Sequence, residues 1–569
     1  MQAFRRYGPF AVLIAVQLIL VLIAPSRPSA SGSVPLGGTF AGAAGSAPGA
    51  TGNTPVGGNA PGSGKLSGVG TSAAPVGGVG AGGTGGTGAG GSTPGGSGGG
   101  GRSNRGGSAA GGARQSAGTY CVTGLLEHPP CVKKYSAASN GGATSRGVTG
   151  KSVTVVMYRN AENQAVDAIL RSTGTYIAPQ DEQKMLGVTG SWVNSHYQLY
   201  GRKINFVWVQ GNCNPAPPDD SCFRSDADSI YAKYHPFAVF YDNDTNEPAF
   251  FDELARKGVI TWGGWGFTDR FNNSLRPYHY DVLMGGDTQA QITGEWWCKR
   301  MAGRPARYAG DSALRGKKRK VAVVYANTAV TTPSAQYLES IINKCSPGSV
   351  FDAQYSSDTS TAASQSTAIT AKEKNAGVTS VLWFSDVIAP AYGTKSQASQ
   401  NYFPEQVIAG SGLLDYDALA QTYDQSEWAN AFGPSDLAQN TSVNEQDAGR
   451  IWRAEKQAGS PDPNANLLTS YALTVAGGIQ AAGPNLTPLT YEYGVLTSPG
   501  YDAWGSYHDP RLSYIRFGRG DYTGISDIRE VYWDPNKVSP TDNRKGAYVA
   551  VNGGTRYQPG QIPTATFSK

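Results

Sequence analysis

The sequence predicts an α/β protein made of two doubly wound parallel-sheet lobes. Two observations predict it: β-branched runs alternate with helical patterns from about residue 148, and a second set of the same kind begins after about residue 288. Strand–helix alternation of this sort implies parallel sheets with both faces covered by helices. A third observation sets the limits of the folded part. Residues 1–117 contain seven Lys or Arg and no Asp or Glu, and 33 of the 87 residues in 31–117 are Gly.

The first thirty residues read as a targeting segment. Arg5 and Arg6 precede an apolar run over 10–24 broken only by Gln17. A run of about 15–17 residues suits a secretory h-region better than a full membrane span. Pro28-Ser29-Ala30 and Ala41-Gly42-Ala43 are both compatible with cleavage, so a cleaved signal peptide and an uncleaved anchor both fit. Either one exports the rest of the chain, and it is the only membrane contact expected. No Cys follows the run before Cys121, so no lipid-anchor cysteine is expected. Residues 31–117, with Phe40 as the only aromatic, cannot bury enough apolar surface to offset chain entropy. They read as a disordered linker of roughly 50 Å end-to-end. The many GxG strings there have no strand before them or helix after them, so they are not phosphate loops.

The formal net charge of +5 comes from this tail, and the chain from Gly118 onward is close to neutral. The densest basic stretch in the body, 315–320, precedes a strand and has no interleaved aromatics. No nucleic-acid partner is therefore expected. The six cysteines fall into neighbouring pairs, Cys121/Cys131, Cys213/Cys222 and Cys298/Cys345. In an exported chain this favours three disulfides, and the spacings do not fit a zinc site. No metal and no cofactor is expected.

Along the folded part, 152–158 (SVTVVMY), 203–210 (KINFVWVQ), 237–241 (FAVFY) and 259–262 read as strands, and 280–284 follows them. Helices are expected between them at 182–200, 226–234 and 248–257. A helix near 288–301 leads to a second set of strands at 320–326, 350–355, 380–384 and 406–409. The helix at 334–345 carries Leu338, Ile341, Ile342 and Cys345 on one face, with Thr332 and Pro333 where an N-cap and first helical residue belong. Residues 466–482 form a long apolar helix, and 514–516, 528–532 and 547–551 read as antiparallel strands. These late elements have no core of their own. They must complete earlier sheets, with the chain crossing between lobes near Gly286, Phe432 and Pro499.

Five segments resemble type 1 periplasmic binding proteins, in particular the branched-chain amino acid (Leu/Ile/Val) binding-like family of ABC transporter solute-binding proteins. They are GVTGKSVTVVMY (147–158), YGRKINFVWVQ (200–210), FAVFYDNDTNEPAFFDELARKGVITW (237–262), YDVLMGGDTQAQITGEWW (280–297) and KRKVAVVYAN (318–327). The resemblance covers roughly 148–530 and rests on order and spacing. It implies two lobes joined by a multi-strand hinge within a solute-binding domain at 118–569, with lobe 1 at about 148–286 and 433–498 and lobe 2 at about 287–432 and 499–569. It also implies capture of a small polar ligand, an amino acid or related compound, for a membrane permease supplied by a separate chain. A surface sensor of the same fold and a structural cell-surface protein are the other readings.

Ligands of open α/β sheets sit beyond the carboxyl ends of the strands. In the resembled family, hydroxyl residues after the third strand grip a carboxylate at a helix N-terminus. Here Asn243 and Thr245 stand in that loop beside Asp242 and Asp244, and ordinary N-capping is the other reading. The next loop offers Gly264, for close backbone approach, and Trp265, for stacking. A plain turn with a core tryptophan fits equally. In the second lobe Ser385, Asp386 and Ser411 end strands. The family's acidic partner for an ammonium is absent at 410–412, leaving Asp386 or Asp415 as substitutes. The five His form no HExxH, and GTKS (393–396) and GDSA (310–313) lack the context of a Walker loop or a nucleophile elbow. No catalysis is expected.

Overall fold

The computed structural model describes residues 118–136, 139–215, 218–241, 247–409, 412–498 and 512–569. The targeting segment, the Gly-rich linker and the expected crossing at Pro499 lie outside these residues.

The first sheet contains β1 (Ser152–Arg159), β2 (Lys203–Gln210), β3 (Ala238–Tyr241), β4 (Ile260–Trp262) and β5 (His279–Tyr280), all parallel, in the order β2-β1-β3-β4-β5. Strand β1 is buried along nearly its whole length, as its unbroken apolar run requires when helices cover both faces. The covering helices are α1 (Pro179–His196), α2 (Asp220–Tyr234), α3 (Pro248–Arg256) and α4 (Asp269–Ser274). Strand order reverses between β1 and β3, which makes that edge the switch point of the lobe.

The second sheet repeats the plan. Its parallel strands are β6 (Val321–Ala326), β7 (Val350–Tyr355), β8 (Ser380–Trp383), β9 (Glu405–Ile408) and β10 (Ala431–Ser435), in the order β7-β6-β8-β9-β10. Helices α5 (Gly286–Trp296), α6 (Thr331–Cys345), α7 (Ala362–Asn375) and α8 (Ile388–Ser399) connect them. The sheet then continues with antiparallel strands β11 (Ile528–Val538) on β10, and β12 (Lys545–Ala550) and β13 (Arg556–Tyr557) on β11. Late chain thus completes an earlier sheet, because an isolated hairpin has no face to bury.

Between β10 and β11 the chain returns to the first lobe as α9 (Asp447–Ala454), α10 (Asn466–Ala482) and α11 (Pro488–Thr497). Tyr471 of α10 stacks on Phe240 with ring centroids 6.4 Å apart. Gln480 Oε1 accepts the Gln198 N–H, and the Gln480 carbonyl accepts the Tyr200 hydroxyl. Residues 512–527 differ from expectation. They form no strand, only isolated bridges: Ile515 with Ile525, Gly518 with Asp521, and Thr523 with Asp281 just past β5. Phe517 packs edge-on against Trp262, and Tyr522 lies against Tyr280, so this segment belongs with the first sheet.

Three helix boundaries also shift, each through local hydrogen bonding. Helix α2 begins at Asp220, six residues before the expected start, because the Asp219 carboxylate accepts the N–H groups of Ser221 and Cys222. Helix α6 begins at Thr331, so Thr332 is not its cap. The Thr328 hydroxyl oxygen accepts the Thr331 N–H at 3.0 Å instead. Helix α1 ends at His196, and the chain turns through Tyr200 at φ 57°.

The disulfides are Cys121–Cys131, Cys213–Cys222 and Cys298–Cys345, matching the pairs read from the sequence. The second ties the end of β2 to α2, and the third ties the turn after α5 to the last residue of α6. Among the described residues no helix is long and apolar enough to cross a membrane.

Candidate ligand-binding cleft

The two sheets are joined where β5 ends and α5 starts. Gly286, the first residue of α5, donates its N–H to the Phe267 carbonyl at 2.9 Å. A Cβ at Gly286 would lie 2.3 Å from the Gly266 carbonyl oxygen and 2.6 Å from Ser334 Oγ, so only glycine lets these three segments close up. Asp287 accepts from the Asp269 N–H at 2.9 Å and from Ser334 Oγ at 3.4 Å, fastening the loop after β4 to α6. Asp269 itself is pushed up to about 6 by burial and by the charges of Asp287 and Asp521.

The loop after β4 carries Trp265 between glycines with positive φ, Gly264 at 83° and Gly266 at 77°. Gly264 is buried beneath Phe267 and Phe251, where a Cβ would meet the Phe267 ring at 2.2 Å. Its role is therefore to seat the loop, and the neighbours it positions, Trp265 and Gly266, face the cleft. The Trp265 ring reaches Gly412, which follows β9. A Cβ there would lie 3.3 Å from the indole and 3.1 Å from the Ser385 carbonyl oxygen, which follows β8. Loops from both sheets thus meet around Trp265. Beside them is a pocket of about 270 Å³ lined by Trp265, Gly266, Leu283, Met284, Leu413 and Asp436.

Asp436 was not singled out from the sequence. It closes the FGPSD run at the carboxyl end of β10, and an acid just past a parallel strand is the signal that marks it. The residue is 5% exposed. Burial pushes its carboxyl well above the usual range, and the nearby Asp415 charge adds to the effect. Behind it, Asp415 Oδ2 accepts from Ser435 Oγ at 2.5 Å and from the Leu437 N–H at 3.3 Å, while Oδ1 has no partner. Arg556 binds the Asp436 carbonyl oxygen and pairs with Asp527. Arg529 is lowered to about 10 by burial and by Arg556. Four acids, Asp415, Asp417, Asp436 and Asp527, stand against the two guanidiniums, so the cleft floor carries an excess of acid.

The other expected site residues divide into two groups. Asn243, Thr245 and Ser411 lie outside the described residues. Ser385 and Asp386 are described, and both are engaged internally. Ser385 Oγ donates to the Asp386 carbonyl at 3.0 Å. Asp386 Oδ1 accepts the N–H groups of Ile388 and Ala389, capping α8, and Oδ2 accepts the Tyr355 hydroxyl at 2.7 Å. Its side chain lines a different, larger pocket inside the second lobe. Of the three acids, Asp436 lines the cleft pocket, and Asp386 and Asp415 do not.

Among the described residues that line the cleft pocket there is no nucleophile–base pair. His279 is buried among Phe251, Phe267 and Phe271, is bonded to Thr261 Oγ1, and is pushed down to about 3 by burial, which fits a structural role. Among the described residues no group of three or more His, Cys, Asp or Glu is arranged to hold a metal.

The fold is similar to that of solved ABC transporter solute-binding proteins. An ABC transporter solute-binding protein from R. palustris, solved with 4-hydroxybenzoate, aligns over 72% of this chain and 98% of its own at 10% identity and a TM-score of 0.51. A second, from Rhodopseudomonas palustris BisB5 with 3,4-dihydroxybenzoic acid, aligns over 72% of this chain and 99% of its own at 12% identity and a TM-score of 0.51. A third, from Rhodopseudomonas palustris HaA2 with p-hydroxybenzoic acid, aligns over 72% and 98% at 11% identity and a TM-score of 0.51. The likeness lies in the fold. No family model matches the sequence. No curated protein matches it either.

Proposed function

We propose that this chain is an exported solute-binding protein that captures a small polar ligand between its two lobes and hands it to the membrane permease of an ABC transporter, without catalysis. The observation that carries this reading is the meeting of Trp265, from the loop after β4, with Gly412 and the Ser385 carbonyl of the second sheet, beside the buried acid Asp436. One aromatic face and one spare carboxyl suit a ligand with a ring or apolar body and a hydrogen-bond-donating or cationic group, as an amino acid or related amine has. Asn243, Thr245 and Ser411 complete the proposed rim, with Gly264 seating the loop. Residues 1–30 act as signal or anchor, and 31–117 act as the tether to the surface. The proposed lobes are about 148–286 with 433–498, and about 287–432 with 499–569, the segment 512–527 siding with the first.

The test is a thermal-shift screen of the full chain against amino acids, amides, aliphatic acids, aromatic acids and sugars, followed by calorimetry on variants. Trp265→Ala is expected to weaken a ring-bearing or apolar ligand by roughly 1–3 kcal/mol. Asp436→Asn is expected to weaken a cationic ligand at least tenfold and to leave a neutral one nearly unchanged. Unchanged affinity in both variants would move the site elsewhere.

A further inference from the structure

A second pocket, about 540 Å³ including its open mouth, lies away from the cleft. It lies within the second lobe, between α7, α8 and the turn that follows β7, and every residue lining it comes from the span 324–397. At its base is Glu373, 1% exposed, and neither of its carboxylate oxygens has a hydrogen-bond partner. Burial pushes Glu373 up to about 8, and the neighbouring Gln397 amide only partly offsets it. The Gln397 carbonyl is already taken by Gln406, which also donates to Glu427.

The rest of the lining favours positive charge. It contains two more acids, Asp358 and Asp386, and no Lys, Arg or His. Those two acids are engaged: Asp358 Oδ1 accepts from Ser360, and Asp386 caps α8 and holds the Tyr355 hydroxyl. Gln365, Ser366 and Thr370 add polar groups along one wall, while Ile369, Val324 and Trp383 supply an apolar one. A buried carboxyl without a partner is a burden on the fold unless it stays protonated or a cation completes it.

We propose that this cavity is a second ligand site, specific for a small organic ammonium compound, with Glu373 pairing the ammonium and the Ile369–Val324–Trp383 wall taking the apolar body. The site goes beyond the cleft reading and does not depend on it, because all of its residues belong to one lobe and lobe closure is not needed to form it.

The test is a thermal-shift and calorimetric titration of the full chain with n-butylammonium and phenethylammonium chloride, using 1-butanol and 2-phenylethanol as uncharged counterparts. The ammonium compounds are expected to raise the melting midpoint in a saturable way, and the alcohols are not. Glu373→Gln is expected to reduce ammonium affinity at least tenfold. Ala362→Trp, which fills the cavity from its mouth and leaves the carboxylate in place, is expected to do the same and decides the matter should Glu373→Gln fail to fold. The proposal is overturned if ammonium compounds and alcohols behave alike, if no ammonium response occurs, or if the response survives both cavity variants.

Discussion

Replacing Arg319 with methionine is expected to cost about 3–5 kcal/mol of folding stability, because it strands a buried carboxylate. Glu405 at the start of β9 is fully buried, and Arg319 binds it through two parallel bonds, Nε to Oε2 at 2.8 Å and Nη2 to Oε1 at 2.9 Å. Ser380 Oγ donates to Oε2, and the N–H groups of Arg307 and Tyr308 donate to Oε1. Arg319 spends its remaining Nη1 on the carbonyls of Met301 and Arg304, so the pair pins the chain between α5 and β6 to the centre of the second sheet. Burial alone would raise the Glu405 pKa, but the Arg319 hydrogen bonds and charge outweigh it, and the group ends below the usual carboxylate range. A depressed folded-state pKa stabilises the protein above the unfolded glutamate value of about 4.3, and that contribution is lost as pH falls through the folded value. Urea denaturation at neutral pH should show the loss in Arg319→Met, and Glu405→Leu with Arg319→Met together should recover much of it. A single-variant cost below about 1 kcal/mol would mean the pair is not buried in solution.

Removing the Cys298–Cys345 bridge is expected to cost about 4 kcal/mol, against about 2–3 kcal/mol for Cys213–Cys222. The first closes a loop with a sequence separation of 47 and the second one of 9, and the chain entropy taken from the unfolded state grows with loop length. The longer bridge also joins α5 to α6, the first helix pair of the second lobe. Chemical denaturation of the paired Cys→Ala variants checks the order. Equal costs would argue that native-state packing, and not chain entropy, sets the contribution.

Much of the fold was legible because both lobes are written in short, doubly buried strands. KINFVWVQ occupies β2 residue for residue, and the helix at 466–482 matches α10, because long unbroken patterns leave little choice of register. Short-range polar chemistry was harder to read. The Asp219 cap and the Thr328 hydroxyl moved two helix starts, since a capping oxygen competes with a run of apolar residues and leaves a weaker mark in sequence. The segment 514–516 has strand-like residues, but Phe517 and Tyr522, which follow it, dock on Trp262 and Tyr280. In the cleft, Trp265 was legible from its glycine-flanked loop. Asp436 was not, because its importance comes from Asp415 and Arg556, which lie 21 residues before it and 120 residues after it. Asp386 looked available in sequence, yet the amides of its own helix and the Tyr355 hydroxyl claim its oxygens.

The central claim, capture between two lobes, is tested most directly by hydrogen-exchange mass spectrometry of the full chain with and without a saturating cleft ligand from the screen. The account predicts slowed exchange at once in the loop 263–268 of the first lobe and in 384–387 and 412–415 of the second, since one bound molecule must bury both rims. Protection confined to one of the two lobes, or spread evenly without these loops, would contradict it.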